Sequence, residues 1–93
     1  MDELYYVNFF AMPKPIRKLR FKQLQTLAFS KGIGWIGTGK SYQTYDGGML
    51  SGRDIEICIH CAIPIRGKHK FLGYGSNDNS ISYRDIIKKL RSL

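Results

Sequence analysis

A stretch of alternating residues in the second half of the chain constrains the fold more than any other feature. Over residues 55–63 every second side chain is apolar, and polar or small residues stand between them. Successive side chains of a β-strand point to opposite faces, so this pattern predicts a strand with one apolar and one mixed face. Pro64 ends the strand, because proline cannot donate a ladder hydrogen bond. Arg66 and Gly67 predict the tip of a hairpin, with its second strand over residues 70–74.

A first strand and two helices complete the prediction. Residues 4–10 are largely aromatic, which predicts a strand covered on both faces. The first helix is predicted to bury its apolar side from Phe21 onward, after an exposed basic lead-in or first turn over residues 14–20. Gly32 supplies a left-handed end, with the next residue packing back on the last turn. Ser82 caps the second helix as the first residue of a Ser-x-x-Asp box.

Helical wheels assign the faces of both helices. In the first helix the buried arc comprises Phe21, Leu24, Leu27 and Ala28, and Gln25 falls outside it. In the second helix the buried stripe comprises Tyr83, Ile86, Ile87 and Leu90, and the outer face carries Arg84, Lys88 and Arg91. These elements predict one α+β domain over residues 1–93, with a mainly antiparallel sheet of three or four strands packed with two helices.

The charge balance indicates the class of partner. The 93-residue chain carries 15 lysines and arginines against 7 acidic residues, a formal net charge of +8. No acidic residue lies between Leu4 and Tyr45, whereas seven basic ones do. Charge segregated in this way attracts phosphate backbones or acidic protein surfaces.

We therefore expect non-catalytic binding of nucleic acid, with RNA favoured over DNA because no helix carries an evident set of base-reading side chains. Cations would contact phosphates, and the rings of Tyr42, Tyr45 and Tyr74 would stack on bases, whereas Trp35 is expected in the core. An inhibitor that binds an acidic host protein directly is the alternative. The predicted nucleic-acid-binding residues are Lys14, Arg17, Lys18, Arg20, Lys22, Lys40, Tyr42, Arg66, Lys68 and Lys70.

Residues 34–41 match the phosphate-loop pattern G-x-x-x-x-G-K-[ST] at every fixed position. That chemistry requires the loop to join a buried strand to a helix, so that backbone amides converge on the phosphates. Here the end of a helix precedes the stretch, and residues 42–48 are a poor helix start. We expect no nucleotide hydrolysis, although Lys40 and the glycine amides could contact one backbone phosphate.

Cysteines and histidines suggest two further chemistries. Cys58 and Cys61 lie three apart on the predicted strand, where their side chains point to opposite faces and cannot converge without a bulge. Buried structural cysteines, with no metal and no cofactor, are the better interpretation. His60 and His69 could form an acid–base pair for RNA cleavage, a remote alternative that conflicts with the expectation that the protein is not an enzyme.

The layout resembles small basic accessory proteins of tailed, T-even-like bacteriophages. The resemblance rests on the sequences Gly32-Ile33-Gly34-Trp35, Tyr74-Gly75-Ser76 and Ile81-Ser82-Tyr83-Arg84-Asp85-Ile86-Ile87. It implies a counter-defence role, in which the protein antagonises a host nuclease or an RNA-cleaving toxin with RNA involved. No site residue follows from it.

The sequence also bears on where the protein works. The acidic start and the absence of a run of about 20 apolar residues argue against secretion and membrane insertion. Two cysteines make no secreted framework, so we expect the cytoplasm, that of the host if a phage encodes the chain. A chain of this size would gain stability from self-association.

Overall fold

A computed structural model describes residues 3–36, 54–75 and 80–93. Three strands form an antiparallel sheet in the order of the sequence, and two helices pack with it. This arrangement confirms the predicted α+β class with three strands and two helices. The elements are β1 (Glu3–Val7), a 3-10 turn (Phe9–Ala11), α1 (Lys14–Ser30), β2 (Asp54–His60), β3 (Phe71–Gly75) and α2 (Tyr83–Arg91).

The first strand is shorter than its aromatic run predicts. β1 ends at Val7, and the 3-10 turn follows. The Asn8 side-chain oxygen accepts a hydrogen bond from the Ala11 amide at 3.3 Å, which offers the backbone an alternative to the ladder. Phe9 is still fully buried. The run is therefore divided between a strand and a turn that both supply the core.

The alternating strand also ends earlier than predicted. β2 stops at His60, and Ile63 is 79% exposed, so the assignment of Ile63 to the buried face is wrong. Leu4 pairs with Cys58 and Glu3 with His60, which leaves Ile59 as an extra residue on β2. Such a bulge disrupts the ladder and bends its strand, so the alternation no longer carries Ile63 into the core.

The hairpin tip lies where the sequence predicts it. Ile65 and Lys68 exchange two backbone hydrogen bonds of 2.9 Å around a two-residue loop. Arg66 has φ = 50° and Gly67 has φ = 78°, the two left-handed positions of a type I′ turn. Glycine adopts this conformation freely, whereas arginine does so at a cost.

Residues 34–36 extend the sheet beyond β3. The Ile36 amide donates to the Leu72 carbonyl at 2.9 Å, and the Leu72 amide donates to the Gly34 carbonyl at 2.8 Å, forming a parallel bridge. Trp35 is only 6% exposed and stacks on Tyr74 with 5.1 Å between ring centroids. The expected core position of Trp35 is confirmed.

The end of α1 follows the predicted pattern. Gly32 has φ = 78°, and its amide donates to the Phe29 carbonyl at 3.0 Å. The Ile33 amide donates to the Ala28 carbonyl at 2.9 Å, which completes a Schellman motif. Ile33 is fully buried, and the next residue, Gly34, already bonds to Leu72, so the chain passes directly from α1 to the sheet edge.

Helix α2 is capped as predicted. The Ser82 hydroxyl oxygen accepts from the Asp85 amide at 3.1 Å, and Ile86 and Leu90 are fully buried. Ile81 packs against the core cluster that contains Ile86, and its amide donates to the Tyr6 carbonyl at 2.8 Å. This bond ties the start of α2 to β1.

The helical wheel places Gln25 outside the buried face of α1, but in the structure Gln25 is fully buried. Its side-chain oxygen accepts from Nε1 of Trp35 at 3.1 Å, and its Nε2 donates to the Phe21 carbonyl at 3.3 Å. A buried indole N–H needs an acceptor, and this glutamine supplies it. The burial of Gln25 follows from its tertiary contact with Trp35, which a helical wheel does not represent.

We expect Gln25→Leu to lower the free energy of unfolding by about 1–3 kcal/mol, because it leaves the Trp35 N–H buried without its acceptor. Urea denaturation followed by tryptophan fluorescence measures this. Gln23→Leu makes the same change at an exposed position of α1, where water can replace the bond that it removes from the Tyr83 hydroxyl, so a smaller loss is expected. An equal loss in the two variants would show that the Trp35 bond does not decide the result.

Candidate nucleic-acid interface

The basic lead-in predicted before Phe21 is part of α1 itself. Lys14, Lys18, Arg20 and Lys22 are exposed, as the sequence predicts. Arg17 is half-buried, and its Nη2 donates to the Met12 carbonyl at 3.0 Å. This guanidinium therefore stabilises the segment that leads into α1, through its bond to Met12.

The hairpin group (Arg66, Lys68 and Lys70) lies at the other end of α1. Nζ of Lys70 donates to the Lys31 carbonyl at 3.3 Å, immediately after the last turn. A helix rises about 1.5 Å per residue, so about 25 Å separates Lys14 from Lys31 along α1. The structure therefore does not gather Lys14 and the hairpin group into one patch.

Tyr83 joins the two helices. Its hydroxyl donates to Oε1 of Gln23 at 3.1 Å, and Cζ of Arg20 lies 5.2 Å from the centroid of its ring. Phe9 contacts the same ring edge-on, with centroids 6.0 Å apart. Tyr83 thus fixes one side of α2 against the face of α1 that carries Arg20.

A basic groove runs between the helices. It consists of two cavities of about 660 Å³ and 480 Å³ that share Tyr83, Ile87 and Arg91. We call it the α1–α2 groove. No Asp or Glu lines it within the residues that the structure describes, and its five cationic side chains are Arg20, Lys22, Arg84, Lys88 and Arg91.

Three of these five are not among the predicted binding residues, because cations on the outer face of a helix are usually solvated surface. Arg84, Lys88 and Arg91 are spaced by four and three residues, so they share one side of a helix. Asp85, the one acid of α2, lies about 100° away from Arg84 on the wheel. That segregation was the available indication of a basic face. The position of this basic face beside α1 depends on the contacts of Tyr83.

The pKa of the Tyr83 hydroxyl is shifted by burial and by two neighbouring charges. Burial raises the pKa of the Tyr83 hydroxyl above its usual value, and the positive charges of Arg20 and Arg91 act in the opposite direction. The phenol is therefore neutral at pH 7 and remains a hydrogen-bond donor. Because one arginine comes from each helix, a positive field extends across the groove.

Replacing Arg20 by Gln is expected to raise the pKa of Tyr83 further, since it removes one of the two charges that lower it. Titration of the Tyr83 ring carbon signal by NMR measures this. Arg66→Gln removes one positive charge from the hairpin tip, away from Tyr83, and should leave the Tyr83 titration unchanged. An unchanged or lowered pKa in Arg20→Gln would contradict the arrangement.

Several predicted positions lie elsewhere. Lys40 and Tyr42, with most of the phosphate-loop match, fall outside the described residues. The ring of Tyr74, one of the rings offered for base stacking, is stacked on Trp35 instead. Of the predicted binding residues, Arg20 and Lys22 therefore line the groove, and Tyr83 and three cations of α2 line it with them.

Cys58 and Cys61 are buried, as predicted, but they are joined by a disulfide, with their Cα atoms 6.5 Å apart. The separation expected for a regular strand does not apply, because Ile59 is a bulge residue and Cys61 lies beyond the end of β2. Within residues 3–36, 54–75 and 80–93, no three His, Cys, Asp or Glu side chains form a metal-binding group.

The histidines of the ribonuclease alternative occupy different environments. Nδ1 of His69 lies 2.8 Å from the Cys61 carbonyl oxygen, and His60 is exposed at the end of β2. A carbonyl can only accept, so Nδ1 of His69 carries the proton in this contact.

None of the known protein-family models matches this chain, and no curated protein or solved structure matches it either. Among the described residues, no helix has the length and apolar character needed to cross a membrane.

Proposed function

We propose that this protein binds nucleic acid without catalysis, RNA in preference to DNA, and that the α1–α2 groove is the main contact surface. One observation carries the proposal. Five cationic side chains from two helices line the two adjacent cavities of this groove, and their described lining contains no carboxylate. A polyanion neutralises such a cluster of like charges and releases its own counterions.

The chemistry of the groove favours unpaired RNA over duplex DNA. Its apolar lining is supplied by Leu27, Tyr83 and Ile87. Such a surface suits unstacked bases, which pack on rings and guanidinium planes while lysines contact the backbone.

An acidic protein partner is the second candidate, because apolar surface continues beside the basic one. Leu19 is 57% exposed and Ile16 is 40% exposed on α1. Large apolar side chains among cations are typical of protein interfaces, where the centre is apolar and the rim polar. The bacteriophage resemblance suggests a host defence nuclease or a toxin as such a partner.

The salt dependence of binding tests the groove. We expect the triple variant Arg84→Gln, Lys88→Gln, Arg91→Gln to bind single-stranded RNA with a 5′-hydroxyl end at least about tenfold more weakly at low salt. The slope of log affinity against log salt should fall by about 2, since each phosphate contact contributes about 0.7. Fluorescence anisotropy over a salt series provides both values.

The matched control removes three cations outside the groove: Lys14→Gln, Arg66→Gln, Lys68→Gln. It has the same net charge as the groove variant, so a general electrostatic effect would weaken both alike. Equal losses would overturn the groove as the site. Duplex DNA of the same length, measured in parallel, tests the preference for RNA.

Nuclease treatment separates the two candidate functions. We expect protein purified from cells to carry nucleic acid, with a ratio of absorbance at 260 nm to that at 280 nm that falls after RNase. A complex with a cellular protein that survives both RNase and DNase, from a preparation free of nucleic acid, would favour the acidic protein partner.

A further inference from the structure

A third cavity lies between the hairpin and the C-terminal end of α1. Its volume is about 310 Å³. We call it the hairpin cleft. Trp35 forms part of its wall, three glycines expose backbone to it, and three consecutive residues with basic side chains line it: Gly32, Gly34, Gly67, Lys68, His69 and Lys70.

Lys70 is held at the cleft by the end of α1. Its Nζ donates to the Lys31 carbonyl at 3.3 Å, and a Cβ atom at Gly32 would lie only 3.2 Å from that nitrogen. The absence of a side chain at Gly32 therefore leaves room for the ammonium group of Lys70. One of three ammonium hydrogens serves this bond, which leaves two for a ligand.

His69 is oriented by the backbone of the same hairpin. Its Nδ1 donates to the Cys61 carbonyl oxygen at 2.8 Å, which fixes the ring and commits that nitrogen. Nε2 is then the ring nitrogen that remains for a ligand, and in the charged form of the ring it is a donor. A backbone partner of this kind pre-positions a histidine in many binding sites.

We propose that the hairpin cleft binds a phosphate group through Lys68 and Lys70, with the ring of His69 and the backbone of Gly34 and Gly67 completing the site. No Asp or Glu lines the cleft within the described part of the chain. Phosphate oxygens accept hydrogen bonds from ammonium groups and from the exposed backbone amides of glycine-rich turns. This site is independent of the α1–α2 groove.

Capping of α1 does not account for the whole cluster. The C-terminal end of a helix carries about half a negative charge, which the ammonium of Lys70 alone exceeds. Lys68 adds a second positive charge, and its described hydrogen bonds are those of its backbone with Ile65. A net positive charge therefore remains for an anion.

The size of the cleft limits the ligand. At about 310 Å³ it lies near the lower end of small-molecule pockets, so it suits one phosphoryl group with at most a small attached body. Two sources share this chemistry: inorganic phosphate and the terminal phosphate of an oligonucleotide.

Amide chemical shifts of the folded protein test the proposal. Titration with inorganic phosphate at constant ionic strength should give saturating shifts at Gly32, Gly67 and Lys68. Lys68→Gln should weaken this binding about tenfold, as expected for loss of one charge-assisted hydrogen bond. Lys70→Gln should have a similar effect, but it also removes a contact with α1, so Lys68→Gln is the decisive variant.

Lys14→Gln serves as the control, because it removes an exposed lysine at the opposite end of α1. Shifts that do not saturate, or equal weakening by Lys68→Gln and Lys14→Gln, would overturn the phosphate site. A short RNA compared with and without a 5′-phosphate distinguishes the sources. Tighter, Lys68-dependent binding of the phosphorylated RNA would assign the cleft to strand ends, and equal binding of both would assign it to free phosphate.

The two proposals fail separately. The groove variant at Arg84, Lys88 and Arg91 leaves the cleft intact, so it should bind inorganic phosphate as the unmodified protein does. Loss of phosphate binding in that variant would contradict the cleft as an independent site. Retention of RNA binding in it would instead contradict the groove.

Discussion

Burial of the Trp35 indole is the constraint on which the arrangement of this small protein depends. The ring covers Tyr74, its backbone extends the sheet beside Leu72, and its N–H reaches Gln25 in α1. One side chain thereby fixes the first helix relative to the sheet edge. The same placement sets the Gly32 turn against the hairpin, so the walls of the cleft follow from a core contact.

Tyr83 plays the corresponding part for the second helix. It is amphipathic, and the structure uses both halves: the ring contacts Phe9 and the guanidinium of Arg20, and the hydroxyl bonds to Gln23. Without a residue of this kind, the cations of α1 and α2 would belong to separate surfaces. The proposed binding face is therefore a product of packing as much as of composition.

The sequence predicts local features well because they depend on near neighbours. The Ser82 cap, the Gly32 stop and the hairpin turn at Arg66 and Gly67 each need only a few adjacent residues. The burial of Gln25 and the closure of the Cys58–Cys61 disulfide were not predictable in this way. The first depends on Trp35, ten positions away, and the second on a bulge set by pairing with β1. Likewise, two of the groove cations were identified from charge alone, but their joining to α2 required the fold.

The turn at the hairpin tip has a wider consequence. Asn or Gly would adopt the left-handed conformation of residue 66 more easily than arginine, which accepts a cost of about 1 kcal/mol there. The paired bonds between Ile65 and Lys68 hold that backbone before any partner arrives. A turn this stiff also fixes the backbone of Lys68, which lines the hairpin cleft, so little main-chain freedom is lost when an anion binds there. The chain thus gives up some intrinsic stability to keep the backbone of a cleft cation in one conformation.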